Sequence, residues 1–459
     1  MTSSDARARF LENPYILDLF AGPGGLDVAA HMLDVPSLGI EWDKDACETR
    51  YKAGLPTWHA DVSAVRRDRF HELPKDLNVL AGGPPCQTYS IAGGGAGRKA
   101  LDEVKKLIRA LVDERACEEK IDEQLAKLEA SGGDSRTALV LEPLRYAIKA
   151  LSCPNREGRP FDVIVLEQVP AVAELWKVYK EALEEGLPRE GGGRVRYKVA
   201  KVATLHTEAF GVPQTRRRTI LIARLAEHGA PPLPAPTHHS YKSLKPKHGG
   251  PDDENVVVSA VQAALPIEGA EVPLRPWVPM RDVLMATEER PDGRTSSFEI
   301  VSNYGSGGDP KKRGVRTDGQ PSFTVTGKVS RNAVRRPDGS PHDPDRMTIP
   351  EAGILQTFPP NYPWEGGDKS QQVGNAVPPL FGMHVLAAAL ARPPAPEEKL
   401  RENWTWAADD KRAILRKEGC GDPYECGSTC PKPEDQSSPS TSSKSARPRT
   451  GASAKRSAK

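Results

Sequence analysis

Ile16-Leu17-Asp18-Leu19-Phe20-Ala21-Gly22-Pro23-Gly24-Gly25 is an apolar run that ends in a glycine-rich turn. The run reads as a buried strand. The glycines let backbone approach a ligand closely, Pro23 fixes part of the turn, and a helix N-terminus beyond it supplies oriented N–H groups. The same alternation repeats outward. Tyr15–Phe20, Ser37–Glu41, Leu77–Ala81, Phe161–Leu166 and Thr219–Ala223 read as strands separated by helix-compatible segments. Such a pattern predicts βαβ units and a parallel sheet covered on both faces, an α/β fold.

The chain has 459 residues, which suits one large domain and a smaller one. Hydrophobic residues make up 37%, and Gly (40) and Pro (43) are abundant, so part of the length is loop or tail. The net charge of +2 points to no partner by itself, so any nucleic-acid argument rests on local clusters. Seven cysteines at scattered spacings form no disulfide framework, and no apolar stretch approaches a membrane span. A cytoplasmic, reducing location with no membrane contact is expected.

Arg98 to Ala130 contains neither Pro nor Gly, and Val104, Leu107, Ile108, Leu111, Ile121, Leu125 and Leu128 recur at helical spacing. One long amphipathic helix or a helical hairpin is predicted, either a solvated arm or a substrate-contacting element. From about Leu225 to Arg346, Pro, Gly, His and basic residues dominate, as in a loop-rich second domain with short strands such as Ser322–Thr326. Regular structure returns after Arg346 and ends in the apolar helix Leu380–Leu390. Beyond Lys432 the composition is that of a disordered basic tail.

Glu41 ends the second strand about twenty residues after the glycine turn, where an open α/β sheet places a ribose-binding carboxylate. Asp61 ends a third segment and is placed to accept from an adenine amino group. The turn lacks both a full GxGxxG and a P-loop Lys-Ser/Thr, so a phosphate-free nucleoside such as S-adenosylmethionine fits it better than NAD or ATP. Taken alone, the turn also reads as purely structural.

In Leu80-Ala81-Gly82-Gly83-Pro84-Pro85-Cys86-Gln87-Thr88-Tyr89-Ser90 a strand gives way to two prolines and then a cysteine in a polar loop. The prolines end regular structure and present Cys86 at the carboxyl edge of the sheet, where ligands bind. Its thiolate is the strongest common protein nucleophile. Glu167-Gln168-Val169-Pro170 closes another strand at that edge, and Glu167 is positioned to bond a heterocycle's ring nitrogen and amino group. In Gln214-Thr215-Arg216-Arg217-Arg218, an extended backbone puts Arg216 and Arg218 on one face, converging on a carbonyl oxygen or phosphate. Alone, Glu167 also reads as a solvated strand end and the arginines as a basic surface turn.

Together these motifs resemble the bacterial type of DNA (cytosine-5)-methyltransferase, over roughly residues 14–225 and 346–392. Asp18 to Gly22 resembles the first cofactor motif, Glu41-Trp42-Asp43 the second, and Asp61-Val62 the third. Pro84-Pro85-Cys86-Gln87 resembles the nucleophile motif, and Asp134-Ser135-Arg136 with Leu139 the fifth. Gln214, Arg216 and Arg218 match QxRxR. Arg346-Met347-Thr348 through Gln356-Thr357-Phe358 resembles the stretch after the recognition domain, and Gln372 to Pro379 the last motif, which returns to the cofactor pocket. Two departures stand out: Glu167-Gln168-Val169 in place of the usual Glu-Asn-Val, and the helical insert at about 98–130 where the family carries a mobile loop that closes over DNA.

The resemblance implies a Rossmann-like, S-adenosylmethionine-dependent methyltransferase sheet with a smaller, loop-rich target-recognition domain. The expected division is 14–224 catalytic and cofactor-binding, 225–345 target recognition, 346–392 return to the catalytic domain, 393–431 C-terminal extension and 432–459 tail. S-adenosylmethionine would be held by Phe20, Gly22, Gly24, Glu41 (ribose), Trp42 (adenine stacking), Asp61, Val62, Pro84, Leu139, Asn375 and Val377. Cys86, Glu167, Arg216 and Arg218 would act on a flipped cytosine, with Arg216 supporting the base or the Cys86 region. The implied partner is double-stranded DNA, met by a monomer, and a cognate restriction endonuclease is left open. Two alternatives stand: a tRNA cytosine-5 methyltransferase, and a DNA-binding regulator without catalysis, against which intact Cys86, Glu167 and both arginines count. The basic residues Lys311, Lys312, Arg313, Lys328, Arg331, Arg335 and Arg336 read either as phosphate contacts or as solvated loops. Cys420, Cys426 and Cys430 lack zinc-knuckle spacing and a fourth ligand, so no metal is expected.

Overall fold

A computed structural model describes residues 10–85, 95–113, 118–130, 135–189, 191–241, 273–288, 291–302, 313–396 and 405–407. Cys86, Asp134, Lys311, Lys312, the cysteines at 420, 426 and 430, and the tail lie outside the described residues.

The main sheet is built from β1 (Ile16–Leu19), β2 (Ser37–Glu41), β3 (Thr57–His59), β4 (Val79–Gly82) and β5 (Val163–Gln168), parallel in the order β3-β2-β1-β4-β5. After the small hairpin β6 (Leu187–Pro188) and β7 (Arg194–Val195) come β8 (Tyr197–Val199), β9 (Ala203–His206) and β10 (Arg217–Leu225). β10 lies beside β5 but antiparallel to it, and β8 and β9 pair antiparallel with β10. The expected Thr219–Ala223 strand therefore exists but runs against the five parallel strands. A buried run of apolar residues encodes burial on both faces, not direction.

Alternation along the strands feeds two cores. Leu17, Leu19, Leu80, Ile164 and Leu166 face one, while Ile16, Val79, Ala81, Val163 and Val165 face the other. Helices α1 (Gly25–Met32) and α9 (Pro379–Leu390) cover the second face. The apolar window that α9 shares with the preceding residues is 89% buried, so its composition is that of a core helix. The chain leaves this sheet after β10, and α9 packs back against it.

Helix α2 (Lys44–Lys52) starts at Asp43, whose carboxylate accepts from Ala46 N at 2.8 Å. The insert is a helical pair, α3 (Gly95–Val112) and α4 (Glu118–Ala130). Val104, Leu107, Ile108, Leu111, Ile121 and Leu125 are buried in the first core, where α3 packs on α6 (Ala173–Glu185); the Leu128 side chain lies outside what is described. Arg145, on α5 (Glu142–Ser152), reaches Asp122 of α4 at 2.8 Å. The insert is thus no solvated arm. Burying each large apolar side chain contributes roughly 1.5–3 kcal/mol, which binds the pair to the domain.

A second sheet, β12-β11-β13-β14, is formed by β11 (Glu299–Val301), β12 (Val315–Thr317), β13 (Ala333–Arg335) and β14 (Pro341–Arg346). The predicted strand at Ser322–Thr326 is replaced by a single bridge between Ser322 and Gln214. Helix α7 (Ile349–Leu355) then opens with a capping box between Thr348 and Glu351, followed by α8 (Lys369–Asn375). Residues of α7 and α8 share a core with Ile300 and Val334 of the second sheet and with Phe298, which precedes β11.

Candidate active site

The carboxyl ends of β1, β2, β4 and β5 lie side by side, with Leu19 opposite both Ile40 and Gly82, and Gly82 opposite Leu166. The glycine turn leaves β1 there. Phe20 (φ 61°), Gly22 (φ 54°) and Gly24 (φ 103°) all adopt left-handed backbone, and Phe20 pays for a conformation that glycine takes freely. The carboxylate of Glu41 accepts from Gly22 N at 2.6 Å, Trp42 N at 2.9 Å and Asp43 N at 2.7 Å, which joins the ends of β1 and β2. Asp61 is half-buried and accepts from Ala64 N at 2.8 Å. Val62 and Pro84 are buried, Leu139 and Val377 half-buried, and Asn375 is exposed, its Oδ1 accepting from Gln371 Nε2 at 2.8 Å. The backbone of Val377 lies over α1, where a Cβ on Gly25 would stand 2.3 Å from the Val377 carbonyl oxygen. The last motif therefore reaches the glycine turn.

Three features of this edge fit a nucleoside cofactor. Trp42 is 67% exposed, an unusual position for an indole with no partner to cover. A Cβ on Gly22 would meet nothing within 4 Å, so space opens over the turn. Asp18 is buried, and its Oδ1 has no hydrogen-bond partner among the described residues. Burial first, and Asp27 next, raise the Asp18 carboxyl well above the usual carboxylate range, against the pull of Arg50.

Glu167 and Gln168 end β5 beside the loop that leads to Cys86. A Cβ on Gly83 would stand 3.5 Å from Glu167 Oε2. Gln168 is buried; its Nε2 donates to the Pro84 carbonyl at 2.5 Å and its Oε1 accepts from Val169 N at 2.5 Å. The residue that departs from Glu-Asn-Val is thus the tie between β5 and the Pro84-Pro85 segment.

The two arginines of the QxRxR motif do not converge. Arg218 Nε lies 2.5 Å from Glu167 Oε1. Arg216 instead donates to the carbonyls of Val325 at 2.9 Å, Gly374 at 3.1 Å and Ala376 at 3.2 Å. Burial, and then the charge of Arg218, push its guanidinium well below the usual arginine range, with Glu167 acting the other way. Gln214 completes a knot: it donates to Leu355 O and Gln356 Oε1 and accepts from Val325 N. Gln356 in turn donates to Val373 O at 2.6 Å. The expected carbonyl partners of Arg216 are the protein's own, where the second sheet's region and the return segment meet.

Sequence reading missed the layer beneath the turn. Arg50, fully buried, pairs with Asp27 at 2.6 Å and donates to Ala21 O and Pro56 O. Tyr362 Oη donates to Pro23 O at 2.5 Å. A polar residue in a short helix or a loop carries no periodic signal of such contacts. Among the described residues no group of side chains could hold a metal ion.

A mixed α/β sheet with its glycine turn, acidic strand end and returning last motif at one edge is the fold of the Rossmann-like, S-adenosylmethionine-dependent methyltransferases. Over residues 15–111 and 166–390 the chain matches the family described as C-5 cytosine-specific DNA methylase. It belongs to that family and is a DNA cytosine-5 methyltransferase. It is 26% identical over 396 residues to the Type II methyltransferase M1.HphI of Haemophilus parahaemolyticus, covering 82% of this chain and 86% of that one. It is 25% identical over 384 residues to the Type II methyltransferase M.Eco47II of Escherichia coli, covering 79% and 75%. The solved structure of the S. pombe Dnmt2 methyltransferase aligns with a TM-score of 0.43 and 15% identity, over 83% of this chain and 99% of that one.

Proposed function

We propose that this enzyme methylates C5 of cytosine within a specific sequence of double-stranded DNA, by covalent catalysis on a flipped base. The observation that carries the reading is the Glu167–Arg218 pair set against the Gly83-Pro84 backbone that leads into Cys86.

The Cys86 thiolate adds to C6 of the extruded cytosine. Glu167, oriented by Arg218, bonds N3 and the exocyclic amine and stabilises the charge that develops on the ring. Gln168 fixes the Pro84 carbonyl and with it the approach of Cys86. Asp18, Phe20, Gly22, Gly24, Glu41, Trp42, Asp61, Val62, Pro84, Leu139, Asn375 and Val377 hold S-adenosylmethionine, which when bound supplies an electrophilic methyl group. Loss of the C5 proton then lets the Cys86–C6 bond break and frees the enzyme.

Residues 225–345 serve as the target-recognition domain, between the catalytic stretches 14–224 and 346–392. Exposed Lys328 and Arg331 are available to phosphates, whereas Arg336 donates to Pro341 O at 2.6 Å and Arg335 pairs with Glu299 at 2.8 Å. The relatives' description as Type II methyltransferases supports a restriction-modification role; a cognate restriction endonuclease and a monomeric, cytoplasmic enzyme complete the proposal.

Transfer of labelled methyl from S-adenosylmethionine into DNA and tRNA, side by side and followed by mapping, tests this. Label in cytosines of one short DNA sequence is expected. Label confined to tRNA would overturn the DNA reading, and label in neither would overturn the activity.

A further inference from the structure

The family match ends at residue 390, yet residues 405–407 are seated against the catalytic domain. Trp406 is only 6% exposed. One side chain clasps its backbone: Trp406 N donates to Asn361 Oδ1 at 2.7 Å, and Trp406 O accepts from Asn361 Nδ2 at 3.0 Å. Its indole Nε1 donates to Ala53 O at 2.9 Å, just past the end of α2. The ring meets those of His31 at 5.5 Å and Tyr362 at 5.4 Å, centroid to centroid.

Each of these contacts leads to the glycine turn. Tyr362 donates to Pro23 O. A Cβ on Gly24 would stand 2.3 Å from Leu55 Cδ1 and 2.9 Å from Tyr362 Oη, so both side chains are packed against the turn. Leu55 follows Ala53 by two residues, and Trp406, Ala53, Leu55 and Tyr362 share one buried cluster with Val28 of α1. His31 lies on α1, the helix that begins at the turn. An indole is large and rigid, and a buried one that also satisfies a helix-end carbonyl fixes its neighbours relative to one another.

We propose that the segment carrying Trp406 is a strap that holds the cofactor turn in its left-handed conformation, and that Trp406 is a positioning residue for S-adenosylmethionine. It acts through Tyr362, the Ala53–Leu55 corner and His31. The inference rests on the reading of Asp18 to Gly25 as the cofactor turn. Coupling of this kind is reciprocal: if the strap supports cofactor binding, cofactor binding tightens the strap.

Titration calorimetry of the full chain with S-adenosylhomocysteine tests it. Trp406→Ala should weaken binding about tenfold, within the usual span of coupling between two sites. Trp406→Phe, which keeps a ring but loses the bond to Ala53, should fall between Trp406→Ala and wild type. In steady state the loss should fall on the KM for cofactor rather than on kcat. Hydrogen exchange in wild type should slow at residues 405–407 when S-adenosylhomocysteine is added, a readout that needs no variant to fold. Equal affinities for wild type and a folded Trp406→Ala, or unchanged exchange at the strap, would overturn the proposal. Failure of wild type to bind S-adenosylhomocysteine would instead overturn the reading of the turn itself.

Discussion

Arg218 holds its Nε 2.5 Å from Oε1 of Glu167, at the edge where β5 meets the loop leading to Cys86. On the proposed mechanism, a carboxylate paired in this way would meet the base in one orientation without reorganising during the reaction. Glu167→Gln should lower the single-turnover methylation rate by about 10²–10³-fold and leave S-adenosylhomocysteine binding intact. Arg218→Ala should act in the same direction. Equal rates for wild type and Glu167→Gln at saturating DNA would remove Glu167 from the chemistry.

Arg216 should behave differently from Arg218. It donates to carbonyls of Val325, Gly374 and Ala376, and these lose a donor when it is removed. Arg216→Ala is expected to destabilise the protein by about 2–4 kcal/mol, as the loss of a donor to buried acceptors does, although Ala376 O keeps a bond from Gln356 Nε2 at 3.4 Å. Thermal unfolding reads this directly. A variant with unchanged melting and reduced turnover would place Arg216 with Arg218 instead.

Removing the helical insert should cost the fold and not only DNA handling. Val104, Leu107 and Ile108 belong to the first core, and Arg145 pairs with Asp122 across the insert. Deletion of residues 99–130 should yield a chain that loses cooperative unfolding and S-adenosylhomocysteine binding together. A deletion that melted like wild type would make the insert peripheral after all.

Asp18 gives the apoprotein a pH signature. Its folded pKa is raised above the ordinary 3.8 by burial and by Asp27. The folded state therefore binds its proton more tightly than the unfolded chain does. That stabilisation is fully present below the unfolded value and is lost as pH rises through the folded one. Asp18→Asn, which cannot ionise, should gain thermal stability relative to wild type as pH is raised from about 4 to about 7. Melting curves that stayed parallel across that range would contradict the assignment.

The parts of this molecule legible in its sequence are local ones. Ile16–Leu19 with its glycine turn, Ser37–Glu41 and the Pro379–Leu390 helix follow from apolar runs, breakers and helical spacing. The helical pair was legible in its period, but what Val104 and Ile108 pack against was not, because periodicity shows a face and not its partner. The direction of β10 was hidden for the same reason. Glu167 reads from the sequence as a strand-end carboxylate and lies at the end of β5, whereas Cys86 lies outside the described residues. The separation of Arg216 from Arg218 depends on Val325, Gly374 and Ala376, more than a hundred residues further along the chain. Trp406 lies beyond every motif and could be read only once its contacts with Ala53 and Asn361 were seen.

The covalent step is tested most directly by a duplex carrying 5-fluorocytosine at the target position. If, as proposed, Cys86 adds to C6 before C5 is methylated, release requires a proton to leave C5, and fluorine cannot leave in that way. Wild type with S-adenosylmethionine should form an adduct that survives denaturing electrophoresis, and peptide mapping should place it on Cys86. Cys86→Ser, with a hydroxyl that is scarcely ionised at neutral pH, should form none while still binding S-adenosylhomocysteine. An adduct on another residue, or normal methylation by Cys86→Ser, would contradict the account.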